Sequence, residues 1–330
     1  MATVSRELDA DGVLFPMTDL TPRLIRVARR GPVLRPSPTA AGVYGLDMTA
    51  GCFHGCGFCH IRGSSRFPGE DRVLFDPFTT DHLKDALDEM DLLPSRVVMS
   101  PSSDPLPPLR EIRDETFKSL ELLLARGIDV QIMTRGRFPR KIVSLLADHR
   151  ERVSVAVALT TMDKMLGRAL EPRAASPSMR VADIGRLVAA GIDVEVRLEP
   201  LIPGLTDTRD NLAPLMEAIA SAGGRRVVAH YLFLQSAMGE SLDRVLLPLG
   251  WVERLKDSFE GGRVFRLGTL GPTKHLPLET RRAGFTRLIS LGAEFGLWVT
   301  TGSSQNPDLP KLSAGVAART PPSAGRTSAN

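Results

Sequence analysis

The sequence predicts an α/β protein, a partial (β/α)6 barrel of TIM type with parallel strands and a C-terminal appendage. Three observations predict it. Six apolar runs of strand length recur between residues 43 and 235. Amphipathic stretches of helical length separate them. The runs are rich in Val, Ile and Leu with little alternation, which is the pattern of strands covered on both faces in a parallel sheet.

The elements follow in order. Residues 1–42 read as an N-terminal extension and linker, and 31–41 (GPVLRPSPTAA) holds three prolines, which cannot sustain a helix. The first strand is Val43–Met48. A glycine-rich stretch, TAGCFHGCGFCHIRG, runs directly on from it, from Thr49 to Gly63. Thr79–Met90 is a helix with Leu83, Leu87 and Met90 on one face and threonine as its N-cap. The second strand is Arg96–Ser100. The helix Asp114–Arg126 groups Phe117, Leu120 and Leu124, and Gly127 closes it. Asp129–Thr134 and Val153–Leu159 are the third and fourth strands. The helix Val181–Ala190 stops at Gly191 in the same way. Asp193–Glu199 and Arg226–Leu234 complete the barrel domain of residues 43–235. Repeated βα units imply right-handed crossovers, with functional loops at the C-terminal ends of the strands. Beyond about Gly239 the pattern loosens. Residues 236–312 form the appendage, with helices at Trp251–Phe259 and Glu279–Phe295 and a short strand at Leu297–Thr300. The tail, 313–330, is small, polar and proline-bearing, and disorder is expected there.

Composition narrows the function. The 330 residues hold only three cysteines, Cys52, Cys56 and Cys59, all within eight positions. An odd, clustered set argues against a disulfide framework. No apolar run approaches the roughly 20 residues of a membrane span. The first residues show no basic region before an apolar core, so a soluble protein of a reducing cytoplasm is expected. The net charge of +4 permits a nucleic-acid partner without requiring one.

The cysteines admit several readings. Three thiolates with His54 or His60 could hold zinc, although structural zinc sites usually join two ligand pairs, and no second pair exists. Cys56–His60 spells the haem-attachment pattern C-x-x-C-H. Simple packing fits poorly with so many glycines. An iron–sulfur cubane held by three thiolates would keep one iron open.

The spacing C-x-x-x-C-x-x-C, with Phe58 before the last cysteine, resembles that of the radical S-adenosylmethionine (radical SAM) enzymes. Further stretches extend the likeness: SPSSDP from Ser100, MTRG ending the third strand, EP at Glu171 running into RAASPSMR, and PLIPG ending the fifth strand. In this order they resemble the spore photoproduct lyase-like (DNA repair photolyase-like) branch, over about residues 43–235.

The resemblance implies that Cys52, Cys56 and Cys59 ligate a 4Fe–4S cluster, and that S-adenosylmethionine chelates the open iron. Reductive cleavage would then yield a 5′-deoxyadenosyl radical that takes hydrogen from a substrate, here unknown. An electron donor such as flavodoxin or ferredoxin is implied as a partner, and nucleic acid is a possible one; a membrane is not. The Phe58 backbone would meet the adenine. Ser102, Ser103 and Asp104 would line the cosubstrate site, and Arg135 would pair with its carboxylate. Arg197 and Glu199 are further cosubstrate-site candidates, with Glu171 and Arg173 near them as bridges or ligand contacts. His230 and Tyr231 would face substrate at the end of the sixth strand. A non-catalytic zinc or iron–sulfur sensing module is the alternative of another class.

Two departures matter. His60 stands where the lyases carry tyrosine, and is a candidate for a new polar contact. The lyases also use an additional cysteine as hydrogen donor after the second strand; Pro101 stands there, and no other cysteine exists. Thiol-based hydrogen return is therefore not expected, which puts thymine-dimer reversal by the lyase route in doubt. Tyr231 becomes the candidate hydrogen donor.

Overall fold

In the computed structural model, residues 21–267, 271–302, 306–309 and 313–314 are described. The elements run β1 (Arg23–Arg26), β2 (Arg35–Pro36), β3 (Val43–Leu46), β4 (Thr49–Ala50), β5 (Arg72–Phe75), α1 (Thr79–Asp88), β6 (Arg96–Met99), α2 (Arg110–Ala125), β7 (Asp129–Thr134) and α3 (Arg140–Asp148). They continue through β8 (Val153–Leu159), α4 (Lys164–Leu170), α5 (Pro177–Ala189), β9 (Asp193–Leu201), α6 (Arg209–Ser221) and β10 (Arg226–Tyr231). The last are α7 (Gly239–Leu246), α8 (Val252–Ser258), β11 (Val264–Arg266), β12 (Pro272–Lys274), α9 (Leu278–Glu294), β13 (Trp298–Thr301) and β14 (Ser313–Ala314).

The main sheet has the order β14-β13-β10-β9-β8-β7-β6-β3-β2. Its central seven strands, β3 to β13 along that order, pair in parallel. The sheet has two edges, so the barrel is partial. The six predicted strands are all present, and β13 adds a seventh from the appendage.

Burial explains the weak alternation in sequence. In β8 every residue but Ser154 is buried, because helices cover one face and the barrel interior the other. The inner apolar face of α5 shows the matching helical period: Ile184 and Leu187 are fully buried.

Several local expectations need correction. Arg35–Pro36, placed in the linker, forms a short strand antiparallel to β3. Proline is tolerated there because β2 is an edge strand and needs no ladder donor on its outer side. Thr79 does not cap α1: its hydroxyl donates back to the Asp76 carbonyl at 2.8 Å, and Phe78 holds the cap position. Ser313 and Ala314, expected to be disordered, pair antiparallel with β13; the rest of the tail lies outside the described residues. The cysteine stretch opens as a strand of its own, since its first two residues form β4. β4 joins β5 and β1 in a small second sheet, which holds the start of the cysteine loop.

Candidate active site

The chemistry gathers at the C-terminal ends of the parallel strands, where side chains from six strand ends meet around one cavity. It encloses about 1300 Å³, counting the part open to solvent, and Cys52, Cys56 and Cys59 line it together.

The loop that carries the thiols is held from several sides. Gly51 and Gly55 adopt φ of 81° and 66°, a region costly for residues with a side chain. Gly55 also lies under a guanidinium: a Cβ there would collide with Arg173 Nη2. Arg173 Nε donates to the Phe53 carbonyl at 2.6 Å, and Arg62 Nη1 to the Cys56 carbonyl at 2.6 Å. Ser241 of α7 donates to the Gly57 carbonyl at 2.7 Å. His54 is turned toward protein groups outside the loop, with Nδ1 3.3 Å from the Arg173 carbonyl and Nε2 3.1 Å from Asp104 Oδ2, the latter a close approach without hydrogen-bond geometry. It is therefore not aimed at a metal.

All three cysteines are free thiols. Burial pushes the Cys56 thiol up to about 12, against the pull of Arg135. Burial and then Asp104 raise Cys52 as well. Such thiols give up their protons when metal binds. Among the described residues, no group of three His, Cys, Asp or Glu side chains is placed to hold a single metal ion. A cubane differs, because each thiolate binds a different iron and the sulfurs stand further apart. Three thiols lining one cavity fit a cubane that keeps one iron open.

Asp104 is buried and saturated. Oδ1 accepts from Leu106 N and Thr134 Oγ1, each at 2.8 Å, and Oδ2 from Arg135 N at 2.8 Å. Burial alone would raise its carboxyl, but His54 and these donors hold it below the ordinary range. It fastens the loop after β6 to the end of β7 and has little left for a ligand. Ser102 N donates to Asp47 at 2.8 Å. Ser103 Oγ is buried without a hydrogen-bond partner among the described residues, so it is open to a ligand hydroxyl or amine.

Arg135 lies over the Phe58 ring, 5.0 Å from its centroid. It pairs with Glu171 Oε1 and donates to the Glu199 carbonyl at 2.9 Å. Glu171 also takes Thr160 Oγ1 at 2.8 Å and the buried Arg180. Burial raises the Glu171 carboxyl, yet Arg180 and Arg135 outweigh it and keep it ionised. The expected free guanidinium for a cosubstrate carboxylate is therefore already shared with protein groups.

On the facing wall, Glu199 accepts from Arg197 Nη2 at 3.0 Å and stands 3.2 Å from His230 Nδ1. Burial opposes ionisation there too, but His230, Arg197 and Arg135 hold Glu199 far below the ordinary carboxylate range. Arg197 Nε is buried and unpaired among the described residues. His60 opens the single turn of 3-10 helix after Cys59 and lines the cavity. Its ring lies 5.9 Å from that of Phe233, and burial lowers its pKa.

Tyr231 is corrected. It follows His230 on β10 and borders the cavity, but its side chain turns outward onto α9. Its hydroxyl donates to Asp207 Oδ2 at 2.7 Å, and its ring meets Phe285 of α9 edge-on at 5.0 Å. That O–H is directed at Asp207 rather than into the cavity.

Sequence reasoning missed Arg180, Arg62, Asp47 and Thr160. Arg180 left a readable signal, since it shares the face of α5 with Ile184 and Leu187. Asp47 and Thr160 left none, because a polar residue at a strand end is ordinary.

An open parallel barrel with three loop thiols beside a charged cavity defines a protein built to hold a thiolate-bound cofactor at its strand ends. The profile of the Radical SAM superfamily matches residues 46–216, and the chain belongs to that superfamily, whose members use a 4Fe–4S cluster and S-adenosylmethionine. An uncharacterized protein of Mycobacterium tuberculosis is 29% identical over 212 residues, covering 61% of this chain and 62% of that one. The chain therefore spans less than two thirds of the mycobacterial relative. A protein of Pseudomonas phage M6 named radical SAM Nalpha-GlyT isomerase is 23% identical over 183 residues, 55% of this chain and 37% of that one. A spore photoproduct lyase structure with bound AdoMet and dinucleoside spore photoproduct superposes with a TM-score of 0.63 at 13% identity, covering 84% of this chain and 81% of that one. That likeness concerns the fold.

Proposed function

We propose that the protein is a radical SAM enzyme that removes a hydrogen atom from a substrate entering the cavity beside His60 and Phe233. The observation that carries this is the meeting of all three thiols with the unpaired Ser103 hydroxyl and the charged wall of Arg197 and Glu199 in one cavity. Cys52, Cys56 and Cys59 would hold the cluster. Ser102, Ser103, Arg197 and Glu199 would receive the polar parts of the cosubstrate, and Phe58, under Arg135, would border its adenine. When bound and reduced, the cluster and S-adenosylmethionine supply a 5′-deoxyadenosyl radical. The chain's part is to orient, to shield from water and to keep Glu199 charged. A low-potential donor such as flavodoxin or ferredoxin fits a reducing cytoplasm.

The test is anaerobic reconstitution, reduction with dithionite and measurement of 5′-deoxyadenosine. Slow formation is expected even without substrate. The triple variant Cys52→Ala, Cys56→Ala, Cys59→Ala should keep wild-type far-ultraviolet circular dichroism but bind no iron or sulfide. A fully loaded wild-type cluster with no 5′-deoxyadenosine would sink the reading.

A second reading, nucleic-acid repair or modification, is compatible with the positive net charge. Binding to DNA or RNA that weakens steeply with salt would support it.

A further inference from the structure

Two neighbouring side chains at the end of β10 are seated against glycines of the appendage. His230 lies against Gly302, the residue after β13, where a Cβ would collide with the imidazole Nε2. Tyr231 lies against Gly284 of α9, where a Cβ would collide with the phenol oxygen. Neither glycine has a positive φ, so packing requires them and backbone conformation does not. Neither lines the cavity. Gly302 is itself held in place. Its N–H donates to the Ala229 carbonyl of β10 at 3.5 Å, and its carbonyl accepts from Asn306 Nδ2 at 2.8 Å. Asn306 Oδ1 accepts in turn from Arg281 Nη1 at 3.1 Å. Arg281, on α9 and buried, also donates to both Asp308 oxygens at 2.8 Å and to the Leu276 carbonyl at 3.0 Å. On its other side, His230 places Nδ1 3.2 Å from Glu199 Oε2. Arg197 Nη2 donates to that same oxygen at 3.0 Å. The His230 side chain is 4% exposed and that of Glu199 20%. The carboxylate therefore meets the cavity, and the imidazole stands behind it.

We infer that Gly302 and His230 are positioning residues: the appendage, through Gly302, sets the His230 ring, and the ring fixes Glu199 Oε2 so that Oε1 is offered to a polar group of S-adenosylmethionine. The inference rests on the proposed function. The physical reason lies in the histidine side chain. Its χ2 torsion is soft and roughly two-fold, so a wall is needed to keep Nδ1 on the carboxylate. Gly302 is that wall. It admits the ring at contact distance, and any larger residue would push the ring aside. The Nδ1 bond is charge-assisted, because Glu199 is ionised, and such bonds are the strong ones. Arg281 makes the wall firm. A buried guanidinium is costly unless its donors are satisfied, so its bonds to Asn306 and Asp308 hold those residues, and Asn306 holds Gly302. The appendage thus contributes to the site without touching the ligand.

The experiment uses the cluster-loaded full chain, anaerobically, with S-adenosylmethionine as the probe and equilibrium binding per loaded cluster as the readout. His230→Leu should weaken binding about tenfold, the scale of one lost charge-assisted bond. His230→Asn, whose Nδ2 can stand where Nδ1 stood, should restore most of it. Gly302→Ala should weaken binding to a similar extent as His230→Leu, although residue 302 lies outside the cavity. Asn306→Asp keeps the acceptor for Arg281, removes the donor to Gly302, and should weaken binding by a smaller factor. Leu288→Ala, in the buried face of α9, controls for lost stability: its thermal midpoint should fall while binding stays near wild type. Wild-type affinity in His230→Leu or in Gly302→Ala would overturn the inference. So would His230→Asn binding as weakly as His230→Leu, or Leu288→Ala losing as much affinity as Gly302→Ala, since the appendage would then matter only through stability. A loaded wild-type chain that binds no S-adenosylmethionine would strike the proposed function itself, and this inference with it; tight wild-type binding that ignores His230 and Gly302 would strike the inference alone.

Discussion

Single residues at this site divide into those with hydrogen-bonding capacity left over and those with none, and the division follows from counting partners. Asp104 and Glu171 are saturated and buried, so they act on neighbours. Ser103 Oγ and Arg197 Nε are buried and unpaired among the described residues, which is costly unless something arrives to pair with them. Tyr231 belongs to the saturated group. Tyr231→Phe removes its bond to Asp207 and should cost about 1.5–3 kcal/mol of stability, the range for bonds to charged groups, measured by urea unfolding. Cleavage of the cosubstrate by the loaded enzyme should stay near wild type; a loss of more than tenfold would return Tyr231 to the reaction. Glu171 makes a pH-dependent contribution. Its folded carboxyl lies below the unfolded value because Arg180 and Arg135 outweigh burial. Its stabilisation is thus complete above about pH 4.3, the ordinary glutamate value, and fades as pH falls below that. Glu171→Gln should lose stability at pH 7, and acidification should then shrink the gap between variant and wild type. A gap that stayed constant down to pH 3 would refute this. At this scale the cysteines were legible because three in eight residues is a rare pattern with few physical readings. Arg180 was legible in principle, as a charge on an apolar helix face. Tyr231 misled because its neighbour on β10 does face the cavity, and alternation turns one of the two away.

At the scale of elements, long segments spoke clearly and short ones did not. β7, β8 and β9 have six, seven and nine residues, enough for an apolar run to register, although only β8 is buried on both faces. β2 and β4 have two residues each, too few for any period to register, so the small sheet that supports the cysteine loop was missed. α7 was missed as well, although it packs on that loop. Its Ser241 bonds the Gly57 carbonyl, and a Cβ on Gly57 would meet Val245 Cγ2 at 2.5 Å. Gly57 is therefore required by packing, even though its φ is not positive. Gly57→Ala should force α7 and the loop apart. The expected result is a thermal midpoint lowered by several degrees and iron content well below wild type after reconstitution under identical conditions. Wild-type iron content in Gly57→Ala would mean that α7 yields freely and does not set the loop.

The whole chain limits how a reaction can end. Cys52, Cys56 and Cys59 are its only cysteines, and the proposed function assigns all three to the cluster. Its two tyrosines are Tyr44 and Tyr231. Tyr44 sits in β3, paired across the sheet with Val97, and does not line the cavity; Tyr231 gives its hydrogen to Asp207. A substrate radical formed beside His60 and Phe233 would thus find no thiol and no free phenol on this chain. Two sources of hydrogen remain: the methyl group of 5′-deoxyadenosine, or an electron and a proton from outside. Proximity favours the first, because a substrate radical meets the molecule just formed beside it before it meets an outside donor. Hydrogen taken from the substrate would then go back to it, and the cosubstrate would be regenerated. With a substrate in hand, the ratio of product to 5′-deoxyadenosine should exceed one. Deuterium at the 5′ carbon of S-adenosylmethionine should appear in product. A ratio at or below one, with deuterium absent from product and solvent hydrogen present in it, would show that the cosubstrate is consumed and that the outside donor quenches the radical.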